Sequence, residues 1–434
     1  MRLRLVQLAA LEQGEIRAFL WSFAYFFALL CSYYIIRPMR DEMGIAGGVD
    51  KLQWMFTGTL LAMLATVPFF GWVAKRFPVQ RFLPYVYYFF IANLILFFAL
   101  FKSDITHAYV ARGFFIWVSV FNLFIVSIFW SFMADVFSND QAKRLFGIIA
   151  AGGTAGALTG PVLTAALVKA LGTANMLLIS AALLAVAVVC IHRIVAWKNS
   201  TQSDSSQGRE GPGARPDPGR DQPIGGSTLA GIRLVFSSSY LGGICLLILL
   251  YTTLSTFLYF QQAQIVRDSF DDPASRTALF AAIDFSVNVL TTLTQLLATS
   301  RIVRKIGVSW TLALIPLFLM IGFLLLGIMP TLSTLIVIQV LRRAGNYAVM
   351  RPAREMLYVI LSKEEKYKAK NFIDTVIYRG GDAVSAWAYA GLKAAAISLA
   401  FIALIAVPLA AVWAWIAFRL GRRQTELANQ NIRT

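Results

Sequence analysis

Apolar residues in this chain come in long runs rather than at the spacing of a helix with one wet face. A helix needs about 20 mostly apolar residues to cross a bilayer. Runs of that kind occupy 16–38, 50–74, 79–101, 108–136, 142–170, 173–195, 239–263, 275–302, 308–329, 331–360, 367–391 and 394–419. Each predicts a transmembrane helix. The first run is too long, and too closely followed by others, to read as a cleaved signal peptide. Residues 196–228 break the pattern: they are rich in Gly, Pro and Ser, lack apolar periodicity, and read as a disordered cytoplasmic linker. Leu229–Phe236 then has the pattern of a short amphipathic surface helix. The linker divides the spans six and six. The expected fold is an all-α polytopic membrane protein with an N-terminal bundle over 1–195 and a C-terminal bundle over 229–434.

Composition agrees with this division. The 434 residues are 58% hydrophobic and 14% charged, where a soluble domain carries about 25% charged residues. Lys and Arg number 39 against 22 Asp and Glu, a net charge of +17. In a soluble protein that excess would suggest a nucleic-acid partner. Here the positive-inside rule accounts for it. With both termini cytoplasmic, inner segments carry about three times as many basic residues as outer ones. Cys31, Cys190 and Cys245 all lie in apolar stretches, where cysteine packs as a small hydrophobe. The halves also repeat: Arg40-Asp41 matches Arg267-Asp268, Lys75-Arg76-Phe77 matches Arg304-Lys305-Ile306, and Gly152-Gly153 matches Gly380-Gly381, each about 228 residues apart. Two six-helix halves joined by a basic loop resemble the major facilitator architecture, with its substrate site near the membrane midplane.

Ionisable groups inside a span are costly, so each needs a partner, a cavity or a function. The tenth span is the richest. At about 100° per residue, Arg343, Tyr347, Arg351 and Arg354 fall on one helical face. The eleventh offers Asp374, Tyr378 and Asp382 at i, i+4 and i+8, with Arg379 beside them; Asp284 stands alone in the eighth. Arg37, Arg40, Asp41 and Glu42 end the first span. One reading pairs these charges to lock helices together. The other reserves Arg37, Arg40, Arg343, Tyr347, Arg351 and Arg354 for an anionic substrate, since guanidinium suits phosphate and carboxylate. Asp41, Asp284, Glu355, Asp374, Arg379 and Asp382 would then position the arginines or carry a coupling proton. The acids and bases balance in number, so only the clustering on the tenth span favours the anion site.

Lys75, Arg76 and Arg81 after the second span, Asp135 ending the fourth, and Arg304 and Lys305 after the eighth are candidates for an ion-paired cytoplasmic gate. Positive-inside anchoring explains the bases but not Asp135. In the fifth span Gly152, Gly156 and Gly160 are four apart and make a smooth face for close helix packing. The run ending Gly160-Pro161 also resembles a motif of proton-coupled efflux antiporters, although Thr164-Ala165 stands where that motif has a glycine pair. No catalytic or metal constellation is present: there is no His-Glu-x-x-His and no nucleophile elbow, and His107 and His192 read as interfacial. No cofactor is expected.

Four stretches carry a resemblance to a known family. Ile36-Arg37-Pro38-Met39-Arg40-Asp41 is similar to the end of the first span in the ATP/ADP translocase (nucleotide transport) family. Phe129-Trp130-Ser131-Phe132 with Gln141-Ala142-Lys143-Arg144-Leu145-Phe146 resembles its Phe-Trp-x-Phe and Glu-Ala-Lys-Arg-Phe segments. Pro352-Ala353-Arg354-Glu355-Met356-Leu357-Tyr358 resembles its Pro-x-Lys-Glu-Met-Ala-Tyr, and Lys366 to Lys370 with Ile373-Asp374 resembles its Lys-Val-Lys-Gly-Lys…Ile-Asp. The resemblance implies the twelve-helix facilitator fold and exchange of nucleotides or related phosphorylated compounds. It also implies a bacterial inner-membrane setting and places substrate phosphates at Arg40 and Arg354. Arg351 stands where the family pattern has Asp. The sequence thus leads to a secondary transporter, an exchanger or ion-coupled carrier, of an anionic metabolite such as a nucleotide or organic phosphate. It is expected to work as a monomer in the lipid bilayer with no nucleic-acid partner. A proton-coupled efflux carrier of lipophilic or zwitterionic compounds is the alternative, and an intramembrane enzyme the least supported.

Overall fold

The structure, a computed structural model, describes residues 15–76, 79–103, 107–206, 238–361, 369–370 and 372–433. The surface helix expected at 229–236 lies outside them. Among the described residues there is no strand, and helices follow one another in the expected order. They are α1 (Ile16–Ala46), α2 (Leu52–Arg76), α3 (Val79–Lys102), α4 (His107–Val136), α5 (Asn139–Leu171) and α6 (Thr173–Ser206), then α7 (Ser239–Ser269), α8 (Pro273–Leu297), α9 (Thr299–Ile328) and α12 (Leu399–Arg433). These ten are each long and apolar enough to cross a membrane. The two remaining spans are composite. α10 runs through Leu332–Gly345, a π turn Asn346–Met350, and Arg351–Met356; α11 begins with a π turn Ile373–Ile377 and continues as Tyr378–Ala394.

Several boundaries differ from the hydropathy pattern, α12 among them, which runs to Arg433 rather than 419. α1 does not stop at residue 38 but continues to Ala46 with Pro38 inside it. Its charged residues are therefore helical, and Asp41 and Glu42 are buried. α6 runs on to Ser206, so the stretch expected to be linker begins as helix. α9 starts at Thr299, with a sharp corner at Gly307 (φ 73°). Only glycine adopts that backbone without strain. Arg301, Arg304 and Lys305 sit on the short arm before the corner.

Helix starts follow local chemistry. Ser138 and Gln141 form a reciprocal capping box at α5. Thr331 accepts the Thr334 N–H at α10. Asp272 accepts the N–H groups of Ala274 (3.2 Å) and Ser275 (2.8 Å) ahead of α8, and the Ser275 hydroxyl together with these bonds holds its carboxyl below the usual aspartate value.

The chain packs into two compact units. The first contains α1, α2 from Leu61 onward, α3 to α6, and α8 as far as Phe285. Its core is aromatic: Phe26 stacks on Phe129 at 4.0 Å, and the hydroxyls of Tyr25 and Tyr87 share a 2.6 Å hydrogen bond. α1 lies against α5 at close range. A Cβ on Gly156 would stand 2.3 Å from the Phe27 carbonyl oxygen, and one on Gly160 would stand 2.8 Å from that of Cys31. Gly152 meets the Phe23 carbonyl in the same way at 2.6 Å. Glycine is the residue that lets two backbones approach so nearly. The second unit contains residues 49–60, α7, α8 from Ser286, and α9 to α12. There Gly381 faces Thr252 of α7, so closely that a Cβ on the glycine would stand 2.4 Å from the threonine Oγ1. Trp54 and Trp387 meet edge to face at 4.8 Å, and the Trp387 indole donates to Thr57 at 3.0 Å.

Candidate functional site

The polar residues of the second unit gather on α7, α10 and α11. In the first α10 segment Leu335, Ile338, Gln339 and Arg342 form the buried stripe. Arg342 is only 7% exposed. Its guanidinium donates to Ser255 Oγ at 2.8 Å and to Gln339 Oε1 at 2.9 Å. The Gln339 amide in turn donates to Gln262 Oε1. Every one of these partners is neutral, and Arg342 Nε makes no hydrogen bond. The helical wheel of the sequence singles out the neighbour, Arg343, and misses Arg342. The signal that leads to it is the i, i+3, i+4, i+7 spacing from Leu335, which ends at 342 rather than 343.

The π turn follows at once. One extra residue in a turn rotates everything after it by about 100°, so the single face counted on a continuous α-helix does not persist through Arg351 and Arg354. The carbonyls that the irregular turn leaves free find side chains: Gln295 donates to the Tyr347 carbonyl at 3.3 Å and Thr299 to that of Ala348 at 2.8 Å. Asn346 donates to the Tyr251 hydroxyl at 3.1 Å, and the Tyr251 ring lies 5.9 Å from those of Tyr378 and Trp413. Arg343 and Tyr347 are half-buried at this level.

Beyond the turn the arginines part company. Arg351 is exposed and has no partner among the described residues. Arg354 stands 3.6 Å from Asp374 and 3.9 Å from Glu355, and Glu355 also pairs with Lys370. Asp374 lies inside the π turn of α11, which breaks the straight i, i+4, i+8 row expected for Asp374, Tyr378 and Asp382. Asp382 pairs with Arg379 at 3.5 Å and accepts from Thr256 at the same distance.

The remaining candidates belong to the first unit. Arg37 is 3.7 Å from Asp284, whose side chain is 1% exposed. Arg40 donates to Ser119 at 2.9 Å and to Asp41 at 3.1 Å, with its guanidinium carbon 3.8 Å from the centre of the Phe115 ring. Glu42, fully buried, faces Arg276 at 2.9 Å without hydrogen-bond alignment. At the other end of α1, Glu15 binds Arg144 at 2.9 Å and Gln141 at 2.8 Å.

Of the gate candidates, the side chains of Lys75 and Arg81 lie outside the described residues. Asp135 is exposed, and among the described residues its carboxylate makes no ion pair; its backbone carbonyl accepts from Lys198. Arg76 lies over Trp72, Arg304 donates to the Ser300 carbonyl of its own helix, and Lys305 is exposed.

Among solved structures, the chain is similar to the POT family transporter PepTSo (15% identity, 94% of this chain and 98% of that one, TM-score 0.64). It is similar also to a bacterial homologue of the iron transporter ferroportin in an inward-facing state (13%, 95% and 100%, 0.63) and to the nucleoside transporter NupG (13%, 94% and 99%, 0.61). These likenesses are of fold. No curated protein matches the chain in sequence. The profile of the Major Facilitator Superfamily matches residues 18–366, most of the chain, and the chain belongs to the Major Facilitator Superfamily.

Proposed function

We propose that this facilitator is a secondary active transporter of an anionic metabolite, working by alternating access as an exchanger or an ion-coupled carrier. The observation that supports this reading is the cationic character of α10: Arg342 is buried among neutral groups, and Arg351 is exposed without a partner among the described residues. Charges whose only task was to lock helices would be matched by acids, as Arg354 is by Asp374 and Glu355. Arg351 and Arg343 are the additional substrate contacts, and Asp374, Asp382 and Arg379 keep the neighbouring side chains in place. The stretches similar to the ATP/ADP translocases put nucleotides and other phosphorylated compounds first among the anions to test, in a bacterial inner membrane with both termini cytoplasmic. The efflux reading rests on the glycine run of α5, and those glycines are accounted for by their contact with α1.

A ligand that binds the native state raises its stability by mass action. Detergent-purified protein heated with nucleotides, sugar phosphates, carboxylates and lipophilic cations is expected to be stabilised by members of the anionic set. Stabilisation by lipophilic cations alone would overturn the reading in favour of the efflux carrier.

A further inference from the structure

A guanidinium removed from water demands compensation by a counter-charge or a complete set of hydrogen bonds. Arg342 has neither. It is 7% exposed, Nε is orphaned, and its two bonds go to a serine and a glutamine. Among the described residues it makes no ion pair, and its neighbour in the chain, Arg343, carries the same charge. Of the acids on α11, Asp382 pairs with Arg379 and accepts from Thr256, and Asp374 lies beside Arg354. The groups that hold the cation suit hydroxyls and amides rather than charge: Ser255 and Gln339 accept from the guanidinium, and Gln262 accepts from Gln339. The adjoining π turn is the kind of helix irregularity that recurs at functional sites.

From this, and resting on the anion reading above, we infer that Arg342 is the residue that seats the charged head of the substrate, and that this head is a single oxyanion. One desolvated guanidinium offsets one charge, so the group it receives is one carboxylate or one phosphate, the latter as its monoanion, on a body bearing hydroxyls or amides. Arg342 is the buried guanidinium of α10, while Arg343 and Arg354 are half-buried and Arg351 is exposed, so a polyphosphate chain would find a single desolvated cation at this place.

The test uses the full chain in detergent with glucose 6-phosphate, gluconate and ATP as probes. Wild type should be stabilised by one of the first two, and Arg342→Gln should lose about 30-fold or more in affinity for it. Arg342→Lys, which keeps the charge but not the fork, should recover part of that loss, whereas Arg423→Gln on the exposed end of α12 should bind as wild type does. Retained affinity in Arg342→Gln would overturn the assignment while leaving an anion carrier. Stabilisation by ATP alone would overturn the single-oxyanion class. No response to any anion would remove both this inference and the reading it rests on. Should Arg342→Gln be poorly folded, failure of the folded Arg342→Lys protein to distinguish itself from wild type would also count against the assignment.

Discussion

Phe114 and Phe115 on α4 precede Arg342 and Arg343 on α10 by about 228 residues, the offset at which the paired motifs of the sequence recur. The two phenylalanines are fully buried in an unbroken helix. The arginines lie just ahead of a π turn, and the first of them is buried among neutral polar groups. The same scaffold has thus been filled in two ways. In the first unit the buried acids face bases, Glu42 with Arg276 and Asp284 with Arg37, and α1 meets α5 through glycine. In the second, charge is left over and two helices are irregular. The first unit is filled by close packing and paired charge, and the second keeps a buried cation that makes no ion pair among the described residues.

That contrast can be broken at several points. Gly156→Leu drives a side chain into the Phe27 carbonyl and the backbone of Cys31, and overpacking of this kind costs about 3 kcal/mol or more. The expected outcome is loss of monodisperse protein on size exclusion, and a normal elution profile would show that the α1–α5 seam can open. Glu42→Gln leaves Arg276 facing a neutral group; removing one member of a buried pair costs about 3 kcal/mol, read as a fall in thermal midpoint. Ser32→Ala removes the hydroxyl that bonds Ser180 at 2.8 Å, and at about 0.6 kcal/mol for a hydrogen bond inside a membrane bundle the midpoint should fall only slightly. Arg342→Gln, by contrast, removes a buried charge that has no counter-charge, so the ligand-free midpoint should stay within about 1 kcal/mol of wild type or rise. A fall as large as that of Glu42→Gln would make the two units alike and take away the distinction.

The spans were legible because hydropathy over twenty residues depends on little but composition. Helix ends were less so: Arg40 and Asp41 look like a loop in sequence, yet neighbours such as Ser119 and Phe115 make α1 worth extending around them. The site was the least legible. A wheel drawn at a constant angle cannot show the π turns, which change which side chains share a face. Nor does a sequence reveal that Arg342 rather than Arg343 turns toward Gln339 and Ser255, because that depends on the position of α7. Asp284 could be recognised as an intramembrane acid, but its approach to Arg37 joins residues nearly 250 positions apart and is decided by packing alone.

The π turn at Asn346–Met350 can also be regarded as a matter of counting. It holds one residue more than a regular turn, and that surplus sets the phase of Arg351 and Arg354. Deleting a single residue there would let the backbone wind as an ordinary helix, turning both arginines by about 100° and drawing them back by about 1.5 Å without changing either side chain. The direction in which those charges face is therefore stored in a length, and an insertion or deletion would redirect them more sharply than most substitutions could.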